Sequence, residues 1–421
     1  MAGEQNTISN GVENKSILDQ IITNHQAEEV SRLDAVEIIN SLFNELSERE
    51  RDVLMRRFGL HGKNKETLEE IGQAHQLTRE RIRQIETSSI KKLRQLENLN
   101  NYISGLKKVI NQLLEEHGGL MEKEYMFDSL ANISAGGYKT KEKDTETHRS
   151  HFNFLISKLL SDEFEEINNS QHFKNSFKLK YQALEHLQAL TEELLAKIKE
   201  AKKIFTTAEL INLAKELDSY KANQERFVAP NNLDISSIFD NNFFTERADL
   251  INTNKVIYSI LKAAQKIGQN KFGYWGINHW REVKPKTIND KIYLILKNQG
   301  KPLHFAEIAA KINQVGFDKK LANAATVHNE LILDDKYVLV GRGLYGLKEW
   351  GYRAGTVADV ISEVLAQTSQ PLSRDEIIAK VLSQRLVRKP TINLALMDKS
   401  RFTRTSNGKY QLVKIKADSI Q

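Results

Sequence analysis

The stretch Thr67–Arg94, TLEEIGQAHQLTRERIRQIETSSIKKLR, decides the fold. Thr67 stands three residues before Glu70. That is the spacing of a capping box, in which each side chain satisfies the other residue's backbone N–H. Leu68 and Ile71 give the helix that starts there an apolar side. The pattern breaks near His75–Leu77. Thr78 then offers a second N-cap, and Glu80 sits where the positive end of a helix favours an anion. Ile82, Ile85, Ser89 and Leu93 follow at three- and four-residue spacing, which predicts one buried stripe. Two capped helices at this separation form a helix-turn-helix whose second helix begins at Arg79.

The residues off the stripe suit a DNA groove. Arg pairs bidentately with guanine, Gln with adenine, and Glu accepts from cytosine. Arg79, Glu80, Arg83 and Gln84 lie in the first two turns, where a recognition helix meets base edges. Lys91, Lys92 and Arg94 suit phosphates, as do Thr67 and Thr78 at the helix starts. From Arg79 to Arg94 six basic residues face two acidic ones. The bland alternative, a charged helix on a solvated face, is weakened by the second capped helix just upstream.

Glu45–Arg94 as a whole resembles region 4 of housekeeping-type bacterial sigma factors, the part that reads the minus-35 promoter element. LSERERDVLMRRFGL (Leu46–Leu60) looks like the family's first helical segment, and TLEEIGQAHQLTRERIRQIE (Thr67–Glu86) like its helix-turn-helix. On matching positions the resemblance makes Arg79, Glu80, Arg83 and Gln84 the base readers. It also implies a contact with RNA polymerase, on the flap of the β subunit, through Leu46–Leu60. Val53, Leu54 and Phe58 are the apolar candidates for that contact, unless they form the module's own core. A sigma factor carries further domains before region 4, and here about 45 residues precede it while more than 300 follow. The expectation is a promoter-reading module reused in a DNA-binding transcription regulator, without the chain being a complete sigma factor. The alternative is a polymerase-associated scaffold that modulates initiation.

Composition sets the limits. The 421 residues suffice for several domains, and 40% hydrophobic with 28% charged residues fits a helix-rich globular protein. No apolar run is long enough to span a membrane, and the N-terminus lacks a secretory pattern. The absence of cysteine excludes disulfides and thiolate metal sites. A cytoplasmic, nucleoid-associated protein is expected. The net charge of +6 makes an anionic partner plausible, and its distribution says more: Pro371–Lys416 holds eleven basic and three acidic residues.

In chain order, residues 1–15 are expected to be a disordered N-terminus and 16–44 a helical segment. Ile17, Leu18, Ile21 and Ile22 form one apolar cluster in that segment, and Leu33, Val36, Ile39, Leu42 and Phe43 a second. The helix-turn-helix module occupies 45–100. A repeat follows, clearer in pattern than in identity. Each unit opens with an amphipathic helix, then a turn, an apolar pair, a second helix, a third helix and a strand pair. The opening halves are Ile103–Leu130, Glu192–Leu217, Ile288–Ile312 and Val357–Leu382. The closing halves are Phe164–Leu179, Phe272–Val283, Tyr337–Trp350 and Phe402–Val413. This is the winged-helix pattern. It predicts winged helices at 102–180, 184–283 (with an insert around Ser219–Asn254), 287–350 and 356–416. The fold class is therefore mainly α, a helix-turn-helix followed by winged-helix modules. SNGK and GRG suit tight hairpins, which makes Arg342, Arg404 and Lys409 wing contacts to DNA. GKPLHFAEIA followed by GRGLYGL, within Thr287–Trp350, resembles the HARE type of winged helix, as in the polymerase delta subunit of some bacteria. That family's role is poorly fixed, and it transfers no catalytic residues. The unit carries nine basic and seven acidic residues, so the fourth unit is the better second DNA contact.

Nothing points to catalysis. There is no G-x-x-x-x-G-K-[ST], and GRGLYG at Gly341–Gly346 sits between strand-like residues rather than between a strand and a helix. His148 and His151, near Glu146, fall three apart in a polar stretch and read as a surface feature without a third metal ligand. Asp334 and Asp335 read as a helix end. Trp275, Trp280 and Trp350 read as closures of small cores. No enzyme activity, cofactor, metal site or membrane association is expected, and the expected partners are double-stranded DNA and RNA polymerase.

Overall fold

The computed structural model describes residues 34–134, 142–168, 170–230, 232–239, 243–353, 355–368, 370–385 and 387–413. The expected N-terminal disorder, the Ile17–Ile22 cluster and Leu33 lie outside them. The protein is mainly helical with small antiparallel sheets. It forms two compact units, one of residues up to Gln269 with Gly273–Asn278, the other of Asn270–Phe272 with His279 onward.

The first unit begins with helices α1 (Ala35–Phe43), α2 (Glu48–Phe58), α3 (Leu68–His75) and α4 (Arg79–Arg94). Capping boxes close the starts of α2 (Ser47 with Glu50) and α3 (Thr67 with Glu70), and Thr78 caps α4. The α3–α4 turn passes through Gln76 in the left-handed region, φ 56°. Gly72 lets the turn close, because a Cβ there would lie 2.7 Å from the Leu77 carbonyl oxygen. Ile82, Ile85, Ser89 and Leu93 are buried, and Val53, Ile71, Ile82 and Ile85 form a small core with Leu68 and Leu77 packed against it.

Two repeats complete this unit. The first comprises α5 (Leu99–Glu116), strand β1 (Leu120–Glu122), α6 (Lys123–Ser134), α7 (Glu142–Phe154) running into a π turn (Leu155–Leu159), β2 (Phe164–Ile167) and β3 (Ser176–Leu179). The second comprises α8 (Glu185–Ala201), α9 (Thr207–Glu216), a run of short helical turns, α10 (Lys255–Ala263), β4 (Ile267–Gln269) and β5 (Trp275–Ile277). Its strand pair therefore starts before the expected Phe272, and only β5 falls within Phe272–Val283. The physical reason is that Ile267 has strand company in Ile277, whereas Asn278–Lys286 turns back through Trp280. The two repeats share a buried ion pair. Lys255 Nζ lies 2.5 Å from Glu116, which also accepts from the backbone N–H groups of Asn232 and Leu233.

The second compact unit holds α11 (Ile288–Gln299), β6 (Leu303–His304), α12 (Phe305–Val315), α13 (Ala324–Leu333), β7 (Tyr337–Leu339) and β8 (Leu344–Leu347). It then continues with α14 (Val357–Ala366), α15 (Arg374–Gln384), α16 (Lys389–Ala395), β9 (Phe402–Arg404) and β10 (Tyr410–Leu412).

One strand arrangement recurs in all four repeats. The residues after the first helix hydrogen-bond to the last strand, which in turn pairs with the strand before it. β1 and β2 both flank β3, and β6 and β7 both flank β8. In the other two repeats a single bridge stands for the extra strand, Phe205 with Trp275 and Leu372 with Tyr410. The apolar pair that precedes each second helix is thus a short strand or bridge. Its side chains close the core: Leu120, Met121, Phe205, Leu303 and Leu372 are all buried.

Candidate nucleic-acid interface

Helix α4 is held from below by its buried stripe, so the opposite face is presented as a rigid surface. Arg79, Glu80, Arg83 and Gln84 are all exposed there. Residues 79 and 83, and 80 and 84, are four apart, which stacks them on one side of the helix. Glu80 and Arg83 form a two-point ion pair, with Arg83 Nε 2.9 Å and Nη2 2.7 Å from the carboxylate. The Arg83 guanidinium, with the helix's other cations adding little, holds the Glu80 carboxyl below its ordinary value, and Glu80 raises Arg83 in return. The pair occupies one edge of the guanidinium and leaves the outer Nη1–Nη2 edge for a bidentate acceptor. Arg81 Nη1 donates to Gln84 Oε1 at 3.2 Å, which orients the Gln84 amide group.

The residues expected at phosphates divide into two groups. Lys91 and Lys92 are exposed near the end of α4, with Lys92 3.7 Å from Glu50. Thr67 and Thr78 are exposed caps. The Thr67 hydroxyl is engaged with Glu70, and the Thr78 hydroxyl accepts from the Arg81 N–H. Arg94 differs. Its Nε donates to the Lys158 carbonyl at 2.7 Å and its Nη2 to the Ser161 hydroxyl. A phosphate contact by Arg94 requires it to give up these bonds. The wing candidates Arg342, Arg404 and Lys409 are exposed in the β7–β8 and β9–β10 hairpins of the second compact unit, with Arg404 Nε donating to the Gly408 carbonyl.

The other side of the module is covered. Val53 and Leu54 are fully buried. The Phe58 ring packs 5.0 Å from Phe154 of α7, with the Lys158 ammonium over it. Phe43 meets Phe154 edge-on. Arg57 ties α2 to α4 through Glu86. His151, expected at the surface, is buried. Its ring meets His61 at 4.7 Å and its Nδ1 bonds the Thr147 carbonyl, because α7 turns this face onto the module. Burial, and then contact with neighbouring histidines, pushes the His151 imidazole down to about 4. No group of His, Asp and Glu among the described residues could hold a metal ion. Sequence reasoning missed Phe154, Lys158 and Ser161 as supports of the module, since each lies far along the chain from what it touches.

This geometry defines a helix-turn-helix with the outer face of its second helix open and its rear face covered. The corresponding segment, residues 42–95, matches the model of the sigma-70, region 4 family. Similar curated proteins include the RNA polymerase sigma factor SigA of Microcystis aeruginosa, 51% identical over 67 residues, covering 16% of this chain and 16% of that protein. RpoD of Helicobacter pylori is 45% identical over 84 residues, 20% of this chain and 12% of that one. RpoS of Coxiella burnetii is 38% identical over 85 residues, 20% and 24% of the two chains. The chain thus spans under a quarter of the length of each of these relatives. No solved structure matches the chain. No helix among the described residues is long and apolar enough to cross a membrane.

Proposed function

We propose that the protein is a DNA-binding transcription regulator that reads a minus-35-like promoter element through α4. Arg79, Glu80, Arg83 and Gln84 meet base edges, and Lys91, Lys92 and the caps Thr67 and Thr78 lie at phosphates. The observation that carries this reading is the single open face holding all four readers, within a segment that matches sigma-70 region 4. The recurring strand order supports a reading of the four repeats as winged helices. The motifs GKPLHFAEIA and GRGLYGL support a HARE type for the third. RNA polymerase is the proposed protein partner. Docking on the β-subunit flap through Val53, Leu54 and Phe58 is the weaker alternative, since two of these are core and the third lies under Phe154.

The test is fluorescence anisotropy on a minus-35-type duplex and a scrambled one, over a salt series. The expected result is a preference of tenfold or more, about 1.4 kcal/mol, that Arg83→Ala abolishes. An unchanged preference in that variant removes the base-reading assignment. Co-purification with polymerase that survives nuclease, combined with equal binding to both duplexes, supports the scaffold instead.

A further inference from the structure

Among the described residues, one of the four repeats leaves its third helix both open and basic. In the first, α7 packs on α1 and α6, and Phe152 and Phe154 are fully buried. In the second, α10 is core: Lys255 to Leu261 and Ala263 are all buried. In the third, α13 is open, exposing Ile332 and Leu333, yet Ala324–Leu333 contains no Lys or Arg. A helix without cations lacks the groups that displace counterions from phosphates.

The fourth repeat is different. Its third helix, α16, buries only Ile392. The same repeat carries Lys380 on α15, Arg388 and Lys389 at the start of α16, Lys399 after it, and Arg404 and Lys409 on the β9–β10 hairpin. All six are exposed, and none makes an ion pair among the described residues. Arg401, by contrast, is held by Asp359. The bridge of Leu372 to Tyr410 seats the hairpin strand beside the start of α15. The Ser373 backbone N–H chiefly holds the Glu376 carboxyl there below its ordinary value, with Lys409 and Lys380 adding to it. The hairpin is fixed by the Thr405 N–H donating to the Lys409 carbonyl and by Gly408 at φ 75°.

We infer that the fourth repeat, alone among the four, is a second DNA contact that grips the phosphate backbone without reading sequence. This goes beyond the reading of α4 as a promoter reader and shares with it only the ligand. Leu394 and Met397 are also exposed, at 70% and 71%, so an anionic membrane surface competes for the same cations. Duplex DNA is favoured because the cations are spread over a helix start, a loop and a hairpin. An interfacial helix would instead set a continuous apolar face against a basic one.

The test uses the full chain with Arg388→Ala, Lys389→Ala and Lys409→Ala together, on the scrambled duplex across a salt series. The expected result is weaker binding whose log–log salt slope is shallower by about two to three, near 0.9 for each phosphate no longer neutralised. The ratio of minus-35-type to scrambled affinity should stay unchanged. The charge-keeping variant Arg388→Lys, Lys389→Arg, Lys409→Arg retains the wild-type slope, which separates charge from misfolding. An unchanged slope in the alanine variant overturns the inference, as does a changed affinity ratio. Loss of binding to phosphatidylserine vesicles with an intact DNA curve also overturns it and assigns the surface to lipid. Failure of Arg83→Ala to alter preference would sink the α4 reading and leave this slope untouched.

Discussion

In the proposed reading Arg83 serves two partners at once, Glu80 and a base. Its ion pair with Glu80 is exposed, and exposed pairs contribute little to stability. Its value is orientation, since a guanidinium already held along one edge loses less freedom when a guanine takes the other. Arg83→Ala is therefore expected to leave the fold intact while costing about 1–3 kcal/mol of discrimination at one base pair. Titrations against single-base variants of the site read this directly. The buried histidines make a second prediction at this scale. Burial pushes His117 down to about 3 and His151 to about 4. Below the ordinary imidazole value the unfolded chain then binds protons that the native state refuses, so stability is lost as pH falls from about 6.5 towards 4 for His151 and towards 3 for His117. Between pH 7.5 and 5.5 the two together should cost about 2–3 kcal/mol. Urea titrations at both pH values should show this loss reduced in the variant His117→Gln, His151→Gln. The exposed face of α4 and its buried stripe were legible in the sequence, because helical periodicity fixes which residues share a face. Arg94 was not, because its partners lie 64 and 67 residues away.

Among the elements, α7 with its π turn has the largest hidden role. Its sequence, EKDTETHRSHFNF, is polar at first glance. Yet its end carries Phe154, which is fully buried against Phe43 and Phe58. The helix-turn-helix module therefore completes its rear core with residues from the first repeat. Phe154→Ala should cost about 3–5 kcal/mol through lost burial and a cavity, measured by chemical denaturation. It should weaken specific DNA binding only under conditions where that unit begins to unfold. If instead stability is unchanged, the packing of α7 on the module is not what holds it. The strands show why pattern reading stopped short. Two- and three-residue strands such as Leu303–His304 give no alternation to detect. The second strand pair was misplaced for the same reason, with Trp275 and Trp280 offering two equally aromatic positions.

At the level of the whole chain, the tryptophans fall on both sides of the division into compact units. Trp275 lies in the first, buried with its ring N–H donating to Thr207 and its ring edge-on to Tyr258. Trp280 and Trp350 lie in the second and are half-buried. The cores are held by different interactions. The first includes the buried Lys255–Glu116 pair, where loss of one partner leaves a charge unpaired and costs about 3–5 kcal/mol. The second includes an apolar cluster of Val360, Ile361, Val364, Ile377, Val381 and Ile392 that carries no such pair. Two cores with separate stabilising terms need not unfold together. Urea unfolding followed by tryptophan fluorescence should then show Lys255→Met shifting the Trp275 signal to lower urea. The transition seen in Trp275→Phe, which reports Trp280 and Trp350, should keep its midpoint when Lys255→Met is added. A shared shift would mean that the two units unfold as one, and that a substitution in either carries its cost to both α4 and the basic fourth repeat.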